Sequence, residues 1–417
     1  METEHGGIEP ADGFQVATWM HLLGGFVSRY RGLWIRLGNV ETRALTSELA
    51  PIDVRQPVYI AGLARSGSTL LLELLNQHPE LSTHRYRDYP MLFTPYAWKR
   101  YLDFTPQPEA VSTERTHKDG IFITAESPEA FEEILWMAFF PDLHCPSKAA
   151  VLDRTTHHPE FEFFYRDHIR KLLLVRGGRR YLCKGNYNVT RMEYLLKMFE
   201  DARILLPVRE PVWHIASLMN QHRRFCQGQQ THPRAIAHLA RVGHFEFGLD
   251  RRPIHTGDHQ QVRHIMDLWE RGAEVEGWAR YWACLHDYLA DRLEASPRLK
   301  EAVMVVGYET LCNRPLDTME DILAHCRLSA SDEILEYAAM RIRPPAFHRP
   351  QFLSDDDLAT IECLTQTTAR RLGLGGNAIS PAMSHPTGYA QTASNQGRDG
   401  CVAENRRYEH ILSFHSR

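Results

Sequence analysis

Apolar residues near the start of the chain recur at helical spacing, at Leu23, Phe26, Val27, Tyr30, Leu33, Trp34 and Leu37, with Arg29, Arg31 and Arg36 between them. The pattern predicts one amphipathic helix over 19–37. It packs on the domain or on a partner subunit as a homodimer contact, with a seat on a membrane surface as the alternative. From residue 57 to about 374 the period switches back and forth. Apolar runs at 58–63, 180–183, 203–208 and 302–306 read as strands, and helical stretches at 68–76, 190–200, 211–224, 268–293, 316–326 and 355–372 fall between them. This alternation predicts an α/β fold, a parallel sheet with crossover helices, whose ligands bind beyond the carboxyl ends of the strands.

Between 225 and 266 the periodicity fades while His232, His238, His244, His255, His259 and His264 accumulate among arginines. The segment reads as a polar surface insertion that covers the site as a lid, rather than as a metal site. Residues 375–417 are rich in Gly, Ser, Asn, Gln and Thr with little apolar patterning, which predicts a disordered tail. The organisation expected is an N-terminal helical extension over 1–55, a catalytic domain over 56–374 and the tail.

A net charge of -4 over 417 residues gives no general attraction to nucleic acid, so any basic site is local. The eight cysteines include no Cys-x-x-Cys pair, and the first twelve residues are acidic and polar, unlike a secretory leader. Reduced thiols in the cytoplasm are the expectation.

The candidate chemistry starts where the first strand ends. Gly62-x-x-x-x-Gly67-Ser68-Thr69 has the spacing of a nucleotide phosphate loop, whose amides and helix N-terminus hold phosphate oxygens. A nucleoside triphosphatase keeps a lysine where this chain has Ser68; the cation stands inside the loop instead, at Arg65. Without the side chain that reaches the β- and γ-phosphates, the expected ligand is not a triphosphate. A second anion site is suggested by the strand at 203–208 running into Arg209, then Pro211 at a helix start and Ser217 eight residues after the arginine.

Together the Gly-x-x-Arg-Ser-Gly-Ser-Thr loop and the strand-Arg-x-Pro segment resemble the two nucleotide signatures of sulfotransferases that use 3′-phosphoadenosine-5′-phosphosulfate. The loop is most similar to that of tyrosylprotein sulfotransferases and related bacterial enzymes. Arg180-Tyr-Leu-Cys-Lys184-Gly and Tyr308-Glu309-Thr-Leu stand in the order of further family landmarks, so the resemblance covers about residues 56–374. It implies a P-loop-like sheet flanked by helices. Arg65, Ser66, Gly67, Ser68 and Thr69 would hold the 5′-phosphosulfate, Arg209 and Ser217 the 3′-phosphate, and Tyr308 would lie near the nucleotide. Lys184 matches a lysine near the transferred group. The implied reaction is direct in-line transfer to an acceptor hydroxyl, with the donor as co-substrate and no metal.

An acceptor hydroxyl must lose a proton, so a base is needed within hydrogen-bond reach. Asp88 is the first candidate, Glu126 the second and His84 a third. The histidine that many cytosolic relatives carry just after the lysine is replaced by Asn186 and Asn188. Arg341, Arg343, His348 and Arg349 are cations in the direction of a closing C-terminal loop. The acceptor pocket is expected from 80–176, with Phe93, Tyr96, Trp98, Phe122, Trp136 and Phe139 available, and from the His-rich insertion. Two other functions stay open on sequence grounds: a nucleotide binder without turnover, and a P-loop kinase.

Overall fold

The structure, a computed structural model, describes residues 12–105, 112–117, 120–343 and 350–374. The expected tail at 375–417, and His348 and Arg349, lie outside these residues. The described strands are β1 (Val58–Ala61), β2 (Leu81–Ser82), β3 (Thr113–Glu114), β4 (Phe122–Ile123), β5 (Arg180–Gly185), β6 (Arg203–Val208) and β7 (Val303–Gly307). Five of them form one parallel sheet in the order β2-β5-β1-β6-β7, and β3 and β4 pair antiparallel as a separate ribbon.

All of β1 is buried, as a strand covered on both faces must be. Tyr59 and Ala61 enter a large core that includes Trp136, Tyr165, Tyr181 and Trp282. Val58 and Ile60 enter the opposite one, with Leu71, Leu75, Met319 and Ile322. Register then fixes the site. Ile60 pairs with Lys184, and Val208 pairs with Gly307, so the loop after β1, Lys184 on β5, Arg209 after β6 and Tyr308 after β7 all emerge at one edge of the sheet.

The described helices include α1 (Thr18–Arg29), α2 (Arg31–Ala44), α3 (Ser68–Leu75), α4 (Pro159–Arg176), α5 (Pro211–Thr231), α6 (Arg234–Val242), α7 (His259–Glu270) and α8 (Glu274–Ala295). The N-terminal helices are anchored, not appended. Lys171 of α4 pairs with Glu41 of α2 at 3.0 Å and donates to the Gly38 carbonyl at 2.9 Å, with both side chains buried. Breaking such a pair costs about 3 kcal/mol, because the remaining charge stays buried. Among the described residues no helix is long and apolar enough to cross a membrane.

Three expectations need correction. The single helix over 19–37 is two helices meeting at Tyr30, whose φ of -111° and ψ of 40° end α1. Apolar spacing runs through a one-residue kink without interruption, so periodicity does not register it. The helix over 268–293 is likewise interrupted at Gly272, whose φ of +77° stops α7 while the Ala273 amide donates back to Leu268. The stretch at 225–266 is also more regular than its periodicity suggests. It holds the end of α5, all of α6 and the start of α7.

Candidate functional site

The loop after β1 is fastened from below. Trp282 Nε1 donates to His214 Nδ1 at 3.1 Å, which leaves His214 Nε2 as the protonated nitrogen, and it donates to the Ala64 carbonyl at 2.8 Å. Burial keeps this imidazole neutral, its pKa pushed well below the usual value. The loop then turns through Arg65 at φ +70° and Gly67 at φ +98°. A left-handed conformation costs a non-glycine residue about 1 kcal/mol. At Gly67 a side chain is excluded outright, because a Cβ would stand 2.6 Å from the Tyr308 ring. Beyond it α3 begins, so the amides of Ser68, Thr69 and Leu70 have no acceptor within the helix.

The second anion element meets the first. Arg65 Nε donates to Ser217 Oγ at 3.1 Å, and Arg209 Nη1 approaches the Arg65 carbonyl oxygen at 3.4 Å. The Arg209 guanidinium also lies over the Tyr308 ring, 4.8 Å from its centroid, so this ring fills the gap between Gly67 and Arg209. Burial lowers the Arg209 pKa, and it raises the Tyr308 hydroxyl to about 12, with Cys312 adding to the rise.

One cavity of about 540 Å³ joins these groups. Arg65, Gly67, Ser68, Thr69, Arg209, Tyr308, Arg341 and Arg343 line it at one end. Arg341 is held there by Glu73 at 2.7 Å. The other end is mostly apolar and includes Phe14, Met20, Phe131, Phe225, Leu239 and Phe247. Lys184, Glu129, Arg115, His117, Asn186 and His244 are among the other polar groups that line it. Ser66 and Ser217 are not on its wall; Ser66 Oγ is buried and has no hydrogen-bond partner in the protein.

Residues 57–251 match the sequence model described as the Sulfotransferase family, a span that takes in β1, its loop, Lys184, Arg209, Ser217, α6 and His244. This region is a sulfotransferase-family domain. Among solved structures, the chain is similar to sulfotransferase STF9 from Mycobacterium avium, with 16% identity, TM-score 0.47, and 80% of this chain and 82% of that one covered. It is also similar to STF1 from Mycobacterium tuberculosis H37Rv, with 16% identity, TM-score 0.41, and 84% and 87% covered. A third is mouse SULT7A1 complexed with PAP, with 11% identity, TM-score 0.35, and 78% and 88% covered. No curated protein matches the chain.

The acids expected to serve the sulfotransferase domain as a base lie off the cavity wall. Asp88 is engaged elsewhere: it accepts from Arg176 Nη2 at 2.5 Å and from the Arg85 amide at 2.8 Å, with His84 Nδ1 3.5 Å away. Burial works to raise its pKa, but His84 and Arg176 prevail and hold it well below the carboxylate range. Glu126 points outward, bridging Arg85 and Arg87 with its side chain 45% exposed. His84 is buried and stacked on His168, with their Nε2 atoms 3.2 Å apart.

The aromatic residues expected at the acceptor also need correction, for none of the six lines the cavity. Phe93 and Trp136 are core residues, Phe122 is exposed, and Trp98 donates to the Arg87 carbonyl at 2.8 Å. Their places at the apolar end are taken by α1, Phe131, α6 and the segments flanking α6.

The polar groups that do face the cavity are different ones. The Glu129 amide donates to the His84 carbonyl at 3.0 Å, and its Oε1 accepts from the Ala130 amide at 2.6 Å. Burial works to raise this carboxyl, yet the charge of Lys184, the Ala130 amide and Tyr86 lower it overall. Lys184 is drawn below its usual value by burial, with Glu129 opposing. Arg115, on the ribbon, donates to Thr69 Oγ1 at 3.3 Å. His244 follows Gly243, the left-handed residue that ends α6, and its Nδ1 donates to Glu246 Oε2 at 3.0 Å. Asn186 Nδ2 donates to Glu246 Oε1 at 2.6 Å. Burial pulls the His244 pKa down but Glu246 outweighs it, so the net shift is upward. His117 goes the other way, held neutral by burial and by Arg115 and Arg65. In the sequence, His-x-Glu directly after a helix-ending glycine is the signal for this dyad. His255 and His259 hydrogen-bond each other at 2.9 Å, and no group of three or more metal-binding side chains occurs among the described residues.

Proposed function

We propose that this sulfotransferase moves the sulfuryl group of 3′-phosphoadenosine-5′-phosphosulfate to a hydroxyl on an acceptor with an apolar body. The observation that carries the reading is the meeting of Arg65 and Arg209, cations from the loops of adjacent strands, at the wall of one cavity. The donor set fits a nucleotide phosphorylated at two positions. Arg209 Nε is buried without a hydrogen-bond partner, and the first amides of α3 have no helical acceptor, which suits them to phosphate oxygens. The apolar far end supports the acceptor class.

The bound donor supplies an activated sulfate. In this reading the 67–69 loop holds the 5′-phosphosulfate, with Ser217 fixing the Arg65 guanidinium, and Arg209 takes the 3′-phosphate. As the acceptor oxygen bonds to sulfur and the sulfur–oxygen bond to the 5′-phosphate breaks, Arg65 and Lys184 stabilise the charge that builds on the departing oxygen. His244 accepts the acceptor's proton at Nε2, since its Nδ1 is committed to Glu246. Glu246, held by Asn186, stabilises the imidazolium that results, and the charge of Glu129 favours the protonated form of Lys184. The products are a sulfate ester and adenosine 3′,5′-bisphosphate.

The experiment combines thermal shift with transfer of labelled sulfate to a panel of aromatic and alkyl alcohols. Stabilisation by the bisphosphate nucleotide and label on an alcohol are expected. Greater stabilisation by ATP with magnesium would make the protein a kinase. Nucleotide binding with no labelled product across the panel would make it a binder.

A further inference from the structure

The N-terminal helices carry a feature that sulfuryl transfer does not use. Trp19, Leu22, Phe26 and Tyr30, then Leu33, Leu37 and Val40, follow one another at steps of three or four residues and are 39–66% exposed. The opposite face of the same helices is buried at Gly24, Val27, Gly38 and Glu41. The outward stripe continues across the Tyr30 bend, so two helices present one apolar surface.

The charge beside the stripe is of one sign. Arg29, Arg36 and Arg43 are exposed, while the sole acidic residue between 13 and 47 is Glu41, which is buried against Lys171. A second copy packed on this stripe by a two-fold axis would bring arginine rows toward arginine rows. An anionic lipid surface would neutralise them and take up the apolar side chains, including a tryptophan and a tyrosine suited to the headgroup region. Neither helix has the length or hydropathy to cross a bilayer, so the fit is to the surface plane. Met20 of α1 lines the apolar end of the cavity, so the stripe and that end share one helix.

We propose that α1 and α2 dock the protein on an anionic membrane surface through the stripe from Trp19 to Val40. The inference rests on exposure and charge alone and stands apart from the identity of the donor or acceptor.

The test is co-sedimentation of the full chain with vesicles of phosphatidylglycerol and phosphatidylcholine in equal parts, beside vesicles of phosphatidylcholine alone. Binding to the anionic vesicles is expected, weakening in high salt. Leu22→Asp with Phe26→Asp should abolish it, and Arg29→Gln, Arg36→Gln and Arg43→Gln should each weaken it roughly fivefold. Circular dichroism and the thermal shift with adenosine 3′,5′-bisphosphate report that the variants still fold. Absence of binding to the anionic vesicles would overturn the proposal, as would equal binding by the double aspartate variant. Sedimentation equilibrium adds a further outcome: a dimer that the double variant dissociates, without vesicle binding, would assign the stripe to a second copy.

Discussion

The two ends of the cavity are made by different means. The arginine end is built on backbone: a loop between β1 and α3 and the first residues beyond β6 and β7, all held in place by strand register. The apolar end is made of side chains from α1, Phe131, α6 and the flanks of α6, none of which belongs to the sheet. A sheet edge holds its loops to fractions of an ångström, which suits recognition of fixed phosphate oxygens. Helices set against a void are free to change in sequence without disturbing the sheet. Under the proposed function, one end can stay constant while the other sets what is accepted.

The largest effect that would sharpen this contrast is at Gly67. Gly67→Ala forces a Cβ against Tyr308 at a φ of +98°, and nucleotide binding measured calorimetrically should be lost with the circular dichroism spectrum retained. Lys184→Met and His244→Gln come next. Each should lower kcat by roughly 10²–10³ while leaving bisphosphate affinity nearly unchanged. Substantial loss of affinity in either would blur the division between gripping and reacting.

The pH profile separates these two residues. A base must be deprotonated, and Glu246 raises the His244 pKa, so kcat should rise with pH through a value above that of an ordinary histidine. In Glu246→Gln that limb should move to lower pH, with a smaller loss of rate; an unmoved limb would remove the dyad from the mechanism.

Asp88→Asn should act on stability instead, lowering it by about 3 kcal/mol through loss of the buried pair with Arg176. The folded Asp88 pKa is depressed, so the contribution is fully present above the unfolded aspartate value near ~4 and is lost as pH falls toward the folded one. Thermal melts across that window check it. The smallest effect belongs to Glu126→Gln, with no change in kcat and less than about 1 kcal/mol in stability, since its partners are on the surface.

Strands at 203–208 and the Gly62–Thr69 loop are legible because their signals are local: an apolar run, two glycines and an arginine at fixed spacing. Glu129 is not, although the candidate Glu126 stands only three residues before it. The choice between them is made by long-range backbone contacts. The Glu129 amide bonds to the His84 carbonyl and Pro128 bridges to Arg85, which turns 129 toward Lys184 and leaves 126 in solvent. His244 and α6 escape for another reason. α6 is strongly amphipathic, with Ala235, Leu239 and Val242 along one face, but at nine residues among histidines and arginines it is too short to stand out. Kinks at Tyr30 and Gly272 change helix count without changing which side chains face inward.

The wedge formed by Tyr308 has a consequence for selectivity. With its ring against Gly67 on one side and beneath Arg209 on the other, neither arm of the grip can shift without displacing the other. Under the proposed function, grasping one end of a nucleotide would pre-set the geometry for the far end, and a ligand missing either anion should forfeit more than a single contact's worth of affinity. Trimming Tyr308 to leucine would uncouple the arms, so that adenosine 5′-phosphosulfate and its 3′-phosphorylated form would be told apart less sharply.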